Sequence, residues 1–237
     1  MPPCSEKVGH TSGPLLAEVC LENVSILIAD DHAVVRRGLR ALLETQPGWK
    51  VAAEVGNGRE AVESATKLTP DLAVLDISMP DLNGLDAAVM ILKASPRTRI
   101  LILTMHAAED LIRKTLKAGA RGYVLKSDAE RDLVAAADAL LHGKTFFTSA
   151  ASDVVLDGIR EAPRRINTAE NGSRLSTRER EIVQLLAEGR SNKEVAAVLN
   201  ISTRTVESHR AKIMDKLKLY SLSELVRYAI RNNIVEP

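Results

Sequence analysis

The sequence predicts an α/β domain with a parallel sheet, followed by a small domain built only from helices. Five short apolar runs alternate with segments of helical spacing from about residue 24 to residue 141. Strands that alternate with helices are typical of a parallel sheet with helices on both faces. After residue 174 only helical spacing remains, which predicts the second, all-helical domain.

The apolar runs and the segments between them give the elements of the first domain in order. Each run is short and bounded by turn residues, as buried strands are. We expect strands at Ser25–Ala29, Lys50–Glu54, Leu72–Leu75, Arg99–Leu103 and Gly122–Leu125. The helices are expected at Ala33–Glu44, Arg59–Leu68, Gly84–Ala94, Glu109–Ala118 and Ala129–Leu141.

The C-terminal part is predicted to contain four helices, and the second and third have the proportions of a helix-turn-helix. Capping boxes of the form Ser-x-x-Glu open the first two helices, at Ser176 and Ser191, and Gly189 ends the first. Ser202 can cap the third helix after a tight turn. The second, third and fourth helices are expected at residues 192–199, 203–217 and 223–230.

Four segments follow from this organisation. The first 22 residues lack periodicity and contain several Pro and Gly, which is typical of a flexible tail. The stretch REAPRRINTAENGS is polar and suits an exposed linker, and Thr148 to Ile159 is expected to form a short helix leading into it. We therefore expect a tail at 1–22, a sheet domain at 23–143, a linker at 144–173 and a helical domain at 174–237.

Length and composition restrict the class of protein. The 237 residues suffice for one or two domains, and 45% hydrophobic with 27% charged residues is ordinary for a globular protein. No stretch approaches the roughly 20 apolar residues that span a bilayer, and the N-terminus lacks the basic-then-apolar order of a signal peptide. We expect a cytoplasmic protein in which Cys4 and Cys20 are reduced and structurally idle thiols.

Charge is divided unevenly along the chain. Residues 174–237 carry 12 Lys and Arg against 8 Asp and Glu, a net charge of +4, which leaves −3 for residues 1–173. A modestly basic C-terminal part is compatible with nucleic acid binding, although charge alone is weak support.

Polar side chains stand at the ends of four predicted strands. Asp30 and Asp31 follow the first strand, and Asp76 follows the apolar run of the third in the stretch VLDISMP. Thr104 ends the fourth strand, and Lys126 comes directly after the fifth. Because open α/β folds bind their ligands at the carboxyl ends of the strands, we expect these groups to converge at that edge.

The combination favours phosphoryl transfer onto a carboxylate. Three converging carboxylates repel one another unless a cation lies among them, and Mg²⁺ is the hard cation that oxygen ligands suit. The metal and Lys126 would offset charge on a group transferred to Asp76, and the Thr104 hydroxyl would bind one of its oxygens. Each residue alone is more often a cap, a turn residue or a solvated charge, so the interpretation depends on the joint arrangement.

Residues 24–142 resemble the receiver domain of bacterial two-component response regulators, through ILIADDH, VLDISMPDLNG, ILILTMH and LKAGARGYVLK. The resemblance implies a flavodoxin-like (βα)5 fold. It also implies that Asp76 accepts a phosphoryl group from the phosphohistidine of a sensor histidine kinase, or from a small phosphodonor.

The same resemblance assigns roles to neighbouring residues. Lys126 would pair with the phosphoryl group, Thr104 would move to hydrogen-bond it, and the Tyr123 rotamer would follow Thr104. A packed strand aromatic is the alternative for Tyr123. Pro80 and Gly84 would shape the loop after the phosphorylation site. The implied Mg²⁺ ligands are Asp30, Asp31, Asp76 and the backbone carbonyl of Ser78.

The third helix of the C-terminal part divides into an apolar stripe and polar faces. Val206, Ile213 and Leu217 form the stripe, which we expect to face the core. The other faces carry Thr205, Glu207, Ser208, Ala211, Lys212 and Asp215. Base edges suit the carboxylate of Glu207, the hydroxyl of Ser208 and the methyl group of Ala211. DNA phosphates suit Arg204, Arg210, Lys212 and Lys216.

The stretch from Leu175 to Leu217 resembles the LuxR-type four-helix DNA-binding domain over nearly its full span. Because this stretch follows a receiver domain and a linker, the chain as a whole resembles the NarL/FixJ family of response regulators. The family implies binding to double-stranded promoter DNA by a homodimer that forms on phosphorylation through the last helix, with RNA polymerase as a further candidate partner. Before phosphorylation we expect the receiver domain to cover or disorder the DNA-binding helices.

The chain also departs from the family pattern. Many relatives carry a basic or neutral residue at the position of Glu207, so no operator preference is implied. His209 lies near the core stripe, which favours a packed or phosphate-facing role over base reading or metal binding. Residues 1–22 lie outside the pattern, so a start codon later than Met1 stays open.

Two other interpretations remain open at this point. A phosphohydrolase that passes through an aspartyl-phosphate commonly needs a second carboxylate two residues after the nucleophile, and Ser78 stands there instead. The receiver domain could also be a constitutive dimer platform that phosphorylation does not affect. The complete set of acidic groups, Thr104 and Lys126 argues against that role.

Overall fold

The computed structural model describes residues 23–105, 108–147 and 175–236. Its six strands are β1 (Val24–Ala29), β2 (Trp49–Val55), β3 (Leu72–Asp76), β4 (Arg99–Thr104), β5 (Gly122–Leu125) and β6 (Phe146–Phe147). The helices of the first domain are α1 (Ala33–Leu43), α2 (Gly58–Leu68), α3 (Gly84–Ala94), α4 (Glu109–Lys117) and α5 (Ala129–Leu141). Those of the second are α6 (Thr177–Ala187), α7 (Asn192–Leu199), α8 (Thr203–Leu217) and α9 (Leu222–Arg231).

The first domain is a fully parallel sheet in the order β2-β1-β3-β4-β5-β6. Apolar side chains pack on both of its faces, as continuous apolar strands require. Helices α1 and α5 contribute Leu39, Leu43 and Leu133 to the cluster on one face. Helices α2, α3 and α4 cover the other face, with Ala61 and Ile91 among the buried residues. The predicted α/β fold, a parallel sheet with helices on both faces, is therefore confirmed, and a sixth strand extends the sheet.

The end of β3 is held in place by close packing at a glycine. A Cβ atom at Gly84, the first residue of α3, would lie 1.9 Å from the backbone oxygen of Asp76. The Gly84 amide donates to the carbonyl of Ile77 at 2.9 Å, and the Asn83 side chain caps α3 by accepting from the Asp86 amide. The close approach lets the loop after β3 fold back at once onto α3.

The second domain forms its own core from four helices. Both predicted capping boxes are present, at Ser176 with Glu179 and at Ser191 with Glu194. Asn200 has a left-handed φ of 51° and makes the tight turn between α7 and α8. The core consists of Ile182, Val183, Leu185, Leu186, Val195, Leu199, Val206, Ile213, Leu225, Ala229 and Ile234, among others.

The structure differs from the predicted elements mainly at their ends. Helix α9 begins one residue earlier and ends one residue later than expected, at Leu222 and Arg231. The predicted linker begins at residue 144, but Phe146–Phe147 still pair with β5 and extend the sheet. The short helix expected from Thr148 to Ile159 and the tail at 1–22 lie outside the described residues. Among the described helices, none is long and apolar enough to cross a membrane.

Candidate functional site

Four of the predicted site residues lie where neighbouring strands end. Asp76 is the last residue of β3, and Thr104 is the last residue of β4. Asp30 directly follows β1, and Lys126 directly follows β5. Since β1, β3, β4 and β5 are adjacent and parallel, the structure brings these groups together at the carboxyl edge of the sheet.

A buried ammonium joins the two inner carboxylates. Lys126 Nζ lies 2.8 Å from Asp76 Oδ2 and 2.8 Å from Asp30 Oδ2. The Asp30 side chain is fully buried, and that of Asp76 is 3% exposed. Carboxylates removed from water are costly unless paired, so this cation compensates both of them.

The pKa values of these groups follow from burial and charge. Burial raises the pKa of the Asp76 carboxyl, and the lowering by the Lys126 ammonium does not fully offset it; Asp30 and Asp31 raise it further. Burial opposes the charge on Lys126, but the two carboxylates outweigh that effect and raise the pKa of the ammonium. Asp76 is therefore held as a paired anion whose charge is poorly solvated.

The donor atoms fit a hard divalent cation. Asp30 Oδ2 is buried and makes no hydrogen bond of good geometry, although it contacts the Lys126 ammonium. The carboxylate oxygens of Asp30 and Asp31 and a ring nitrogen of His32 all lie within 4.8 Å of one another. Among the described residues, this is the one cluster of three potential metal-binding side chains. Asp76 connects to this cluster through Lys126. Two carboxylates with oxygen atoms this close together, one of them buried, suit Mg²⁺.

His32 is the residue at this site to which the sequence assigned no role. Its Nδ1 lies 2.6 Å from Asp31 Oδ1, and its backbone amide donates to Asp30 Oδ1 at 2.8 Å. Its place directly after the Asp pair in ILIADDH is the signal that could have found it. The contact orients the exposed Asp31 carboxylate beside the buried one.

Tyr123 lies inside the sheet domain. Its side chain is fully buried in the same apolar cluster as Ile102, its neighbour on β4, and burial raises its pKa to about 12. Thr104 is likewise buried, on that neighbouring strand. The inward rotamer agrees with both interpretations of Tyr123, as a packed aromatic and as a switch.

The second domain packs against the loop that follows Asp76. Gln184 on α6 is buried, and its amide accepts from the Asn83 backbone N–H at 2.8 Å and donates to the Met79 carbonyl at 2.9 Å. Arg180, also on α6, contacts Asp86 Oδ2 at 2.9 Å. Sequence reasoning missed these contacts, because no motif marks a residue that packs between domains.

A cavity of about 630 Å³ lies between the two domains at this edge of the sheet. Its receiver side includes Asp31, Ser78 and Thr104, and its other side includes Glu188 and the C-terminal residues through Glu236. The Ser78 hydroxyl donates to the Glu236 carboxylate, and Lys114 donates to the Asn232 carbonyl at 2.9 Å. The end of α9 and the residues after it thus pack against α4 and the loop that follows Asp76.

The predicted DNA-reading face of α8 is open in this arrangement. Val206 and Ile213 are buried and Leu217 is half-buried, as the stripe predicted. Lys216 contacts Glu179 at 2.8 Å, so it is paired within the domain rather than projecting freely. His209, Arg210 and Thr205 are half-buried. Exposed residues are Arg204, Glu207, Ser208, Ala211, Lys212 and Asp215.

This arrangement corrects one expectation. The receiver domain contacts α6 and the end of α9, but the exposed residues of α8 show that it does not cover the face predicted to read DNA. The helices are ordered in the docked form, with their caps made. The physical reason is that the polar partners of the loop after Asp76 are Gln184 on α6, Glu188 and Arg190 just after it, and Glu236 beyond α9, none of which belongs to α8.

Family models match both parts of the chain. Residues 26–138 match the response regulator receiver domain, and residues 173–229 match the bacterial regulatory proteins of the LuxR family. Together these ranges span most of the sheet domain and most of the helical domain.

Known proteins are similar over nearly the whole chain. The oxygen regulatory protein NreC of Staphylococcus aureus (strain bovine RF122 / ET3-1) is 38% identical over 219 residues, which is 90% of this chain and 100% of that protein. A LuxR-family two-component response regulator from Aurantimonas sp. SI85-9A1 has a TM-score of 0.55 at 35% identity, over 59% of this chain and 100% of its own. RcsB from Salmonella enterica serovar Typhimurium, bound to promoter rprA with the phosphomimetic BeF3⁻, has a TM-score of 0.55 at 29% identity, over 87% of this chain and 98% of its own.

Proposed function

The chain belongs to the NarL/FixJ family of transcription-regulating response regulators, and we propose that Asp76 is the residue whose phosphorylation controls its binding to promoter DNA. One observation carries the assignment. Asp76 ends β3 as a buried carboxylate 2.8 Å from the Lys126 ammonium, with the Thr104 hydroxyl at the end of the adjacent strand.

Phosphoryl transfer at this site needs a nucleophile and charge compensation. A carboxylate oxygen of Asp76 forms the new O–P bond while the bond between phosphorus and the donor breaks. The donor atom that leaves is a histidine nitrogen of a sensor kinase or the acyl oxygen of a small phosphodonor. Lys126 already lies against the attacking carboxylate and can pair with a phosphoryl oxygen. Thr104 ends the strand that pairs with β3, and its hydroxyl would hydrogen-bond another phosphoryl oxygen.

We infer that Mg²⁺ is the cofactor. Asp30, Asp31, Asp76 and the backbone carbonyl of Ser78 would hold it, and His32 orients Asp31 within the set. When bound, the ion offsets negative charge on the transferring group. Lys126 carries part of that compensation when Asp76 is not phosphorylated, since it bridges Asp30 and Asp76.

We propose that α8 reads the major groove. The exposed side chains of Glu207, Ser208 and Ala211 are the base-contacting candidates. Arg204, Arg210, Lys212 and Lys216 are the phosphate contacts, together with Thr205 near the start of the helix. Lys216 must leave Glu179, or share its charge, to reach a phosphate.

The proposed active form is a homodimer on two half-sites, and phosphorylation would act by shifting a pre-existing equilibrium toward it. A shift from 1:99 to 99:1 needs about 5.5 kcal/mol of differential stabilisation. The closed arrangement supports this scheme, because the end of α9 is held against the receiver domain through Lys114 and is thereby less available to a second copy. The partners would be a sensor kinase, promoter DNA and, at the promoter, RNA polymerase, all within the cytoplasm.

The assignment is tested by mass spectrometry of the protein after incubation with acetyl phosphate and Mg²⁺. We expect one phosphoryl adduct, labile to base and to hydroxylamine, on wild type and none on Asp76→Asn. Adduct formation on Asp76→Asn to the wild-type extent would place the chemistry elsewhere. Sustained hydrolysis of phosphomonoesters with many turnovers would instead favour an enzyme.

A further inference from the structure

Two carboxylates of the DNA-binding domain face the cavity over the phosphorylation site. Glu236 accepts a hydrogen bond from the Ser78 hydroxyl, and Glu188 accepts one from the Asp81 backbone N–H at 3.1 Å. Both line the cavity that Asp31 and Thr104 line from the receiver side. Both carboxylates of the second domain therefore contact the loop that follows Asp76 and share a cavity with Asp31 and Thr104, the residues proposed to flank a phosphoryl group on Asp76.

The remaining contacts hold the two domains together around the same loop. Asp81 has a left-handed φ of 65°, which is costly for a residue other than glycine, and Arg190 pairs with its side chain. Gln184 bridges the two limbs of the loop through Met79 and Asn83. The closed arrangement is thus fixed by polar contacts that surround the two carboxylates.

The charge balance of this cavity depends on the state of Asp76. In the unmodified form, Asp76 carries one negative charge and is paired with Lys126. With Mg²⁺ bound in both forms, phosphorylation replaces a monoanion by a dianion and adds the bulk of the phosphoryl oxygens on the side of Asp31 and Thr104. Like charges that share this cavity repel one another, more strongly at the Glu188 side chain, which is 20% exposed, than at the exposed Glu236.

We propose that Glu188 and Glu236 act as a carboxylate gate, which keeps the domains closed over unmodified Asp76 and is expelled by repulsion when Asp76 carries a phosphoryl group. The inference rests on the proposed phosphorylation of Asp76 and names the groups that convert it into domain separation. It differs from occlusion of the DNA-reading helix, because the outward face of α8 is exposed in the closed form. Couplings between two sites in proteins typically change an equilibrium by about 5- to 150-fold.

The test uses the full chain and the double variant Glu188→Gln with Glu236→Gln. Glutamine has the shape of glutamate and can still accept from the Asp81 amide and the Ser78 hydroxyl, so the double variant removes the two charges, and with them the 3.7 Å ion pair between Glu188 and Arg190, while keeping these hydrogen bonds. The measurement is hydrogen–deuterium exchange of the α6 segment around Gln184, at constant Mg²⁺, with and without acetyl phosphate. The extent of phosphorylation of each sample is measured in parallel by phosphate-affinity electrophoresis.

We expect phosphorylation to accelerate exchange of this segment by at least about fivefold in wild type, and the double variant to be phosphorylated equally while losing most of that acceleration. The matched control is Glu63→Gln with Glu130→Gln, which removes the same charge from exposed positions on α2 and α5. It should behave as wild type. Glu236→Lys should reverse the effect of phosphorylation on the exchange rate. Phosphorylation should then slow exchange, because a lysine attracts the phosphoryl group.

The other outcomes overturn the inference in distinguishable ways. Equal acceleration in the double variant and in wild type would remove the gate and leave the proposed function intact. Fast exchange in the double variant before any phosphodonor is added would mean that the carboxylates close the domains by attraction alone. Absence of phosphorylation at Asp76 in wild type would overturn the proposed function and the gate together.

Discussion

The two sites of this protein are built in opposite ways. The pocket at the edge of the receiver sheet collects buried groups from four strands that are far apart in sequence, with Asp30 and Asp76 sharing one ammonium. The face proposed to read DNA is a row of exposed side chains on the single helix α8. The residues of the pocket are therefore fixed by the fold. The residues on the outer face of α8 can vary as long as the apolar stripe of the helix stays buried.

Removal of the shared cation should have the largest effect. Lys126→Met leaves two buried carboxylates uncompensated, and loss of one partner of a buried ion pair typically costs about 3–5 kcal/mol. We expect the free energy of unfolding, measured by urea denaturation without divalent ions, to fall by roughly that amount. Addition of Mg²⁺ should restore much of it, since the ion supplies the missing positive charge.

An unchanged unfolding free energy in Lys126→Met would mean that one of the carboxylates is protonated in the folded protein. That result would weaken the contrast between a charged, buried pocket and an exposed face.

A methyl group at Gly84 should come next. In Gly84→Ala the Cβ would lie 1.9 Å from the Asp76 carbonyl oxygen, so α3 and the end of β3 must separate, at a cost of about 3 kcal/mol. The matched control is Gly38→Ala on α1, where a Cβ meets nothing within 4 Å. That change should stabilise the protein by roughly 0.5–1 kcal/mol through helix propensity. Equal effects of the two substitutions in thermal denaturation would contradict the close packing described for the pocket.

These two substitutions concern the part of the molecule that the sequence predicted best. The alternation of strands and helices determines which strand ends are neighbours, so the amino-acid sequence alone suffices to place Asp30, Asp76, Thr104 and Lys126 together. Element ends were less well predicted, because the Phe146–Phe147 strand gains its stability from pairing with β5 rather than from its own pattern. Helix α9 begins one residue earlier than expected because Ser221 caps it, accepting from the Glu224 amide.

The contacts between the domains could not be predicted. Gln184 and Arg180 stand in α6 as ordinary polar residues, and their roles depend on which surface of the receiver domain meets them. Sequence periodicity reports which face of a helix is apolar, whereas a polar interface leaves no such period. The expectation that the receiver domain would cover α8 was wrong for this reason: the polar side chains that the receiver domain contacts lie outside α8, and no sequence pattern marks them.

On the DNA-reading face, effects should be smaller and of two kinds. Arg210→Ala should weaken binding to every DNA sequence by roughly three- to tenfold and reduce the slope of log affinity against log salt by about 0.9, since one phosphate contact is lost. Fluorescence anisotropy with specific and random duplexes over a salt series measures both quantities. A loss confined to the specific duplex would assign Arg210 to a base instead.

The smallest effect is expected at Glu207. Glu207→Gln exchanges a carboxylate for an amide that can also donate, so preference at one base pair should change by about 1 kcal/mol while binding to random DNA stays the same. Selection of binding sites from a randomised duplex pool measures the change. An unaltered consensus would exclude Glu207 from base contact and restrict reading to its neighbours on α8.

The most direct test of control by Asp76 is capture of genomic DNA fragments by the protein with and without acetyl phosphate at constant Mg²⁺, followed by sequencing, beside Asp76→Asn. We expect enrichment of a partly palindromic site that requires the phosphodonor in wild type and is absent in Asp76→Asn. Equal enrichment of the same site in all samples would keep DNA recognition and contradict control by Asp76.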